Sequence, residues 1–470
     1  MLSNRYFLFA LSALFAIFVG FFSGIGYGTL SLIVCAYIVP LALLWPRAEA
    51  LTLYWLGFSP IAAYLLRYPA EKSVLTFDRV IVGVLVCAVV VRLLREPRRL
   101  LPFGWFELFW LLFATYALAD CLLRGDFSLA SLKIAVDAFI LPLLLFIVAR
   151  YGLKITHMQR GIFIILLVLS YCLLPIGVYE LLTGADLLRY PGAELYRDGL
   201  VRPNGPFLAD NSYALISLLI GLALWYWPVV AEIPMTVRLR LFWRLGILCA
   251  LSAALVPQFR AIALAIIGCL GLGLLLHRGW RTIVKPALAF ALLLLACLPI
   301  WSVVRATDFY QRRLADPTNA YSRLATYRVA LKVAREQWLF GVGLGHYQDY
   351  FARHYAPAEM PLKPKQFANL PQSTPHNNLL SVLAELGVVG FLPYLLAQLF
   401  LLREGWSLLR QSGRRRAAGS AILTLIAAYG GVGLTLTSGY YSDLNLIFFF
   451  LLGILLNCGW EGEIRDEVYR

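Results

Sequence analysis

Apolar runs of roughly 17–25 residues recur along this chain from one end to the other, each long enough to cross a hydrocarbon core of about 30 Å as a helix. About fourteen such runs centre near residues 14, 36, 58, 86, 114, 140, 168, 220, 248, 268, 294, 390, 427 and 450. Only 14% of the 470 residues are charged and 61% are hydrophobic, whereas a soluble domain carries about 25% charged residues. A soluble fold is excluded. The expectation is an all-α polytopic membrane protein, a bundle of about 12–14 transmembrane helices with one large extracytoplasmic (periplasmic) helical loop.

The formal net charge of +15 raises nucleic acid as a partner, but the cations sit in loops between spans and set topology instead. With a cytoplasmic N-terminus, the inside loops hold Arg47; Arg92, Arg95, Arg98 and Arg99; Arg150, Lys154 and Arg160; Arg238, Arg240 and Arg244; Arg278, Arg281 and Lys285; and Arg403, Arg410, Arg414, Arg415 and Arg416. Every inside loop is then basic, as the positive-inside rule requires. Both termini then fall in the cytoplasm. The first run, Tyr6 to Gly20 after Arg5, has no small-residue cleavage site ahead of a soluble domain and is read as a span. All eight cysteines lie in or beside apolar runs without a CxxC pair, so they read as core residues.

This topology divides the chain into N-terminal spans (1–182), central spans with an outer loop over 183–207 (183–304), a large periplasmic loop (305–375) and C-terminal spans (376–470). Within the large loop, Asn319-Ala-Tyr-Ser322 reads as a helix cap and Arg323 to Arg335 as an amphipathic helix lying against the membrane face, with apolar residues at three- and four-residue spacing. Gly341, Gly343 and Gly345 close that helix, and a second helix starts near His346.

Chemistry concentrates on the outside. His376, in Pro375-His376-Asn377-Asn378, stands where the long loop enters a span. An imidazole there can take a proton from a hydroxyl, or it can cap the helix. Glu385, nine residues on, falls about 13 Å deeper by helical rise, and an ionisable residue at such depth is a functional candidate or the partner of a neighbouring polar group. Arg202-Pro-Asn-Gly205-Pro-Phe207 ends the other outside loop, and an arginine fork before a helix start suits an oxyanion such as a diphosphate. Taken alone it is a snorkelling arginine with an ordinary cap, as Arg260 in Pro257-Gln258-Phe259-Arg260 is alone an anchor. Arg323 and Arg328 can face lipid phosphates or substrate. Gly341-Val-Gly-Leu-Gly345 has no preceding strand, so it is not a dinucleotide loop. His346, His354 and His376 lack the ligand spacing of a zinc site, and no Asp-x-Asp pair occurs. No metal and no cofactor are expected.

In order, Arg202-x-x-Gly205-x-Phe207, Arg260, the Arg323 to Arg335 helix, Trp338-Leu-Phe-Gly341-Val-Gly343-Leu-Gly345, and Pro375-His376-Asn377-Asn378 with Glu385-Leu-Gly387 resemble the O-antigen ligase and O-antigen or exopolysaccharide polymerase superfamily of bacterial membrane glycosyltransferases. The resemblance covers roughly residues 195 to 400. It implies a metal-independent, inverting enzyme that moves a glycan from undecaprenyl diphosphate to an acceptor hydroxyl on the periplasmic face. It makes His376 the general base or acceptor-positioning group, Arg202 and Arg260 the diphosphate ligands, and Arg323, Arg328, Asn377 and Glu385 supporting residues. The acceptor is lipid A-core for a ligase, or another lipid-linked glycan for a polymerase. Many members carry Asn-Pro-Asn after the Phe, where this chain has Leu208-Ala-Asp210-Asn211. A flippase for the same lipid-linked glycan is the competing class; it predicts ionisable residues at depth in many spans, whereas the sequence offers chiefly Asp137 and Glu385.

Overall fold

Eleven of the fourteen apolar runs are long helices. The structure, a computed structural model, describes residues 44, 47–65, 67–68, 75–95, 103–125, 128–187, 196–197, 200–207, 209–278, 318–354 and 374–468. The helices are α1 (Ala48–Leu65), α2 (Phe77–Arg95), α3 (Trp105–Leu123), α4 (Leu129–Gly152), α5 (Gln159–Thr183), α6 (Asp210–Val230), α7 (Val237–Leu255) and α8 (Arg260–Arg278). The large loop supplies α9 (Thr318–Glu336) and α10 (Tyr347–His354), and α11 (Asn378–Leu409), α12 (Gly413–Gly433) and α13 (Ser442–Val468) follow. The runs centred near 14, 36 and 294 lie outside the described residues. Two two-residue antiparallel ladders pair Arg67–Tyr68 with Leu75–Thr76 and Tyr196–Arg197 with Leu200–Val201. Among the described residues, six helices are long and apolar enough to cross a membrane: α3, α4, α5, α6, α11 and the Ser442–Gly459 part of α13. The chain is an all-α, multi-pass membrane protein.

α4 shows how the bundle handles a local defect. It widens into π-helical turns at Ala135–Ile140 and Val148–Gly152, which frees carbonyls that lipid cannot satisfy. Neighbouring helices supply donors. Asn445 Nδ2 donates to Ala138 O (2.9 Å) and Trp110 Nε1 to Phe139 O (3.1 Å). One further stretch down, Asn457 Nδ2 donates to Ala149 O (2.9 Å) and Leu153 O (3.1 Å).

The two ends of the bundle differ in kind. At one end Arg150 is buried between Glu107 (2.6 Å) and Glu404 (2.8 Å), while Arg92 pairs with Glu49 (2.6 Å). These residues come from the segments that carry the basic loops. At the other end of α3, Arg124 holds Asp120 (2.8 Å) and donates to the Phe340 and Gly341 carbonyls (3.1 and 3.3 Å). The large loop is therefore fastened at the end away from Arg150.

α11 is broken. Gly387 has φ 60° and ψ −166°, a conformation essentially confined to glycine. A straight helix would put Asn378 about 40 Å from Gly405. Yet Gly405 packs on Ile422 while Asn378 touches Gly433, and those two residues of α12 are only about 16 Å apart along the helix. Residues 378–386 thus fold across the end of the bundle away from Arg150 instead of descending into it. Glu385 is correspondingly not deeper than His376 by nine residues of rise. It lies buried at that same end, where Tyr440 Oη and the Gly345 amide (3.0 Å) donate to it.

The loop plugs into that break. Val342 N donates to Ala384 O (3.0 Å) and Gly343 N to Glu385 O (2.8 Å), while Val388 N donates to Trp338 O (2.8 Å) and Val389 N to Leu339 O (3.2 Å). Gly341 (φ 67°) and Gly387 cross so closely that a Cβ on either would strike the other strand's backbone.

Candidate active site

α9 is built from a simple wheel. Ala325, Val329, Ala330 and Val333 are buried against Tyr347 and Phe351 of α10 and Ala384 of α11, a small core separate from that of the bundle. Its apolar stripe therefore meets protein rather than the membrane face, and its helix starts at Thr318, ahead of the expected cap at Asn319 to Ser322. With that stripe fixed, Arg323 and Tyr327, one turn apart, point to a different side. Tyr327 Oη donates to Leu434 O (2.7 Å) and reaches His376 O (3.4 Å). Burial raises the Tyr327 phenol above the ordinary tyrosine value, with Arg323 and Asn377 pulling the other way.

His376 sits at φ 50°, a left-handed backbone rare outside glycine. It does not cap the helix. Asn377 does, its Oδ1 accepting from Leu380 N (3.0 Å) while its Nδ2 donates to Leu434 O (3.1 Å). Asn378 continues the anchoring, donating to Ser438 Oγ (3.0 Å) and accepting from Gly439 N (2.9 Å). The turn between α12 and α13 is thus the peg on which Tyr327, Asn377, Asn378 and, through Tyr440, Glu385 all hang.

The arginines converge from three elements. Arg202 is buried, beside Asp210 at the start of α6 (3.7 Å) and over the ring of Phe259 (5.6 Å). Its loop is set by Gly205 (φ 54°), whose amide donates to the buried Glu180 (2.8 Å) and whose Cα abuts the Tyr213 ring. Phe259 is followed by Arg260, exposed at the first position of α8. Arg323 lies near enough to feel both charges: burial lowers its guanidinium below the ordinary arginine value, and Arg260 and Arg202 push the same way against an opposing contribution from Tyr327. Arg202 thus stacks on Phe259, the chain neighbour of Arg260, and Arg323 lies within electrostatic reach of both, with Asp210 beside Arg202 and Tyr327, one turn on from Arg323, reaching His376. Arg328 is not part of it; it is exposed, about 140° round the helix from Arg323.

Residues 245–395 match the family model described as O-antigen ligase. Over that stretch the chain is similar to the O-antigen ligase family. No curated protein matches the chain. The O-antigen ligase match takes in Arg260, Arg323, Arg328, His376, Asn377 and Glu385, and leaves Arg202 to be delivered by the fold. It also joins two motifs that look independent in sequence, because Trp338 to Gly345 and Glu385-Leu-Gly387 are the two halves of the glycine crossing. Sequence reading missed Tyr327 and the 434–441 turn, since a tyrosine in an amphipathic helix and a Thr/Ser/Gly turn carry no distinctive spacing.

The buried ionisable residues are more numerous than Asp137 and Glu385. Asp78, Glu107, Glu180 and Asp443 are buried as well, but they stand within the first or last turns of their helices. Each is engaged: Asp78 by Trp55 (2.8 Å) and Ser59 (2.7 Å), Asp443 by Ser212 (3.0 Å). Asp137, further along α4, is held by both nitrogens of the Arg79 fork at 2.6 Å.

Proposed function

We propose that this O-antigen ligase-type protein is an inverting membrane glycosyltransferase that moves a glycan from undecaprenyl diphosphate onto an acceptor hydroxyl, with lipid A-core as the acceptor. The observation that carries the reading is the convergence of Arg202, Arg260 and Arg323 with His376 at one end of the bundle. Among the described residues, three guanidiniums gather on the side of Asp210, and cations of that fork geometry suit a lipid diphosphate. Charge on that leaving group grows as the glycosidic bond breaks, and fixed forked donors in a partly dry site stabilise it without reorganising.

In this scheme the acceptor oxygen attacks the anomeric carbon from the side opposite the diphosphate and its proton passes to His376. The bond to the diphosphate breaks and undecaprenyl diphosphate departs. The face bearing Arg150 is cytoplasmic and the site periplasmic, in line with the basic loops. Buried carboxylates kept near helix ends argue against the flippase alternative, which needs charge along a path. The test is transfer by the purified protein in EDTA, with undecaprenyl-diphosphate-linked glycan and with or without lipid A-core. A glycan–lipid A product that requires the acceptor supports the ligase; a ladder on the carrier without it makes the protein a polymerase; no product in either arm refutes the enzyme reading.

A further inference from the structure

The face of α9 that packs on none of the described residues has a composition of its own. At about 100° per residue, the core stripe of Ala325, Val329 and Val333 and the side that carries Arg323 and Tyr327 use up most of the circumference. The remaining arc presents Tyr321, Leu324, Arg328, Leu331, Lys332 and Arg335, all exposed, with the three apolar side chains 45–49% accessible. Three large apolar groups interleaved with three cations on one arc do not suit bulk water. They suit a bilayer interface, where stems and rings enter the acyl boundary and cations meet phosphate. Glu336 borders this arc, and its carboxylate is engaged by Tyr350 Oη of α10.

The chain after α9 fixes where this face sits. Trp338, Leu339 and Phe340 are exposed at 59, 37 and 55%, and the backbone of Trp338 and Leu339 is bonded to Val388 and Val389 just past the break in α11. Val388, Val389 and Leu392 are themselves exposed on a helix long and apolar enough to span the membrane. The Trp338 to Phe340 segment is therefore continuous with the lipid-facing side of α11, at the level where the outer end of α3 donates to Phe340 O. Exposed aromatics at that level are the usual interfacial anchors.

We propose that the outer arc of α9, together with Trp338, Leu339 and Phe340, is a membrane-interface platform that rests on the outer leaflet and binds anionic phospholipid headgroups through Arg328, Lys332 and Arg335. The loop is then fixed to the bilayer twice, by backbone at Gly387 and by headgroups along α9. Because the side carrying Arg323 adjoins the lipid-facing arc, a lipid-borne phosphate could reach Arg323 without leaving the interface, a consequence that rests on the function proposed above.

The experiment reads position, not catalysis. The full-length protein, with its native cysteines replaced by alanine, carries a spin label at Leu331→Cys, Trp338→Cys or, as a control on α10, Asp349→Cys, in nanodiscs of phosphatidylethanolamine and phosphatidylglycerol. Collisions with oxygen should exceed collisions with a nickel chelate at Leu331 and Trp338, and the order should reverse at Asp349. Changing to pure phosphatidylcholine, or substituting R328Q/K332Q/R335Q, should shift the Leu331 label toward the nickel chelate. Chelate-dominated collisions at both Leu331 and Trp338 in the anionic nanodiscs would overturn the platform, and so would label–label dipolar broadening showing that a second copy covers the face. Insensitivity of the Leu331 label to both the lipid change and the triple substitution would overturn headgroup binding. None of these outcomes depends on glycan transfer.

Discussion

Replacing Gly387 by alanine should detach the large loop from the bundle, although Gly387 is assigned no contact with any substrate. The backbone at φ 60°, ψ −166° costs a non-glycine residue of order 1–3 kcal/mol. The added methyl would also lie against the Leu339 carbonyl, closer than real Cβ atoms come, so the crossing strands must separate. Four backbone hydrogen bonds span the crossing, each worth about 0.5–1.5 kcal/mol net. Losing two of them with the strain gives roughly 2–6 kcal/mol of local destabilisation, or about thirtyfold to ten-thousandfold more opening. Hydrogen–deuterium exchange of the detergent-solubilised protein should show this at the amides of Val342, Gly343, Val388 and Val389, with the transmembrane helices unchanged. Glycan transfer should fall as well, since Arg323 and Tyr327 ride on the released segment. Wild-type protection at Val342 and Gly343 in the alanine variant would refute the crossing as the element that holds the loop.

His376→Ala should abolish transfer while the protein inserts and melts as the wild type does; near-normal product on a gel would remove His376 from the chemistry. Arg202→Lys and Arg260→Lys should each lower transfer by at least tenfold, because a point charge cannot reproduce the forked contact, and full activity in both variants would end the case for specific diphosphate binding. Burial raises the Tyr327 phenol, so its hydroxyl stays protonated up to the ordinary tyrosine range and its bond to Leu434 O is lost only as pH climbs through the higher folded value. The stability contributed by Tyr327 should therefore be constant from neutral pH to mildly alkaline pH, and a melting-temperature difference between wild type and Tyr327→Phe that shrinks within that window would contradict it.

Much of the architecture was legible because a bilayer is an unforgiving solvent. Apolar length alone places eleven of the described helices, six of them long and apolar enough to cross a membrane. The candidate residues were legible as types: an imidazole and an arginine fork beside turn residues mark themselves, and Arg202, Arg260, Arg323 and His376 do fall at one end of the bundle. Their roles stay with the resemblance until activity is measured.

Other features exist only in three dimensions. Nothing in Glu385-Leu-Gly387 says that the helix breaks there, because glycine is tolerated within helices and the break is stabilised by a loop more than forty residues earlier. A helix read as continuous therefore placed Glu385 too deep. The apolar stripe of α9 was read correctly as a stripe but assigned the wrong neighbour, since periodicity gives a face and not what covers it. Tyr327 became visible only when α9 was seen to lie beside the turn after α12, a contact across more than a hundred residues. Sequence thus determined which segments must leave water and which residue types could do chemistry. Tertiary structure decided which backbone groups, freed at a glycine crossing or a π-turn, found partners, because satisfying them depends on neighbours that local composition does not encode.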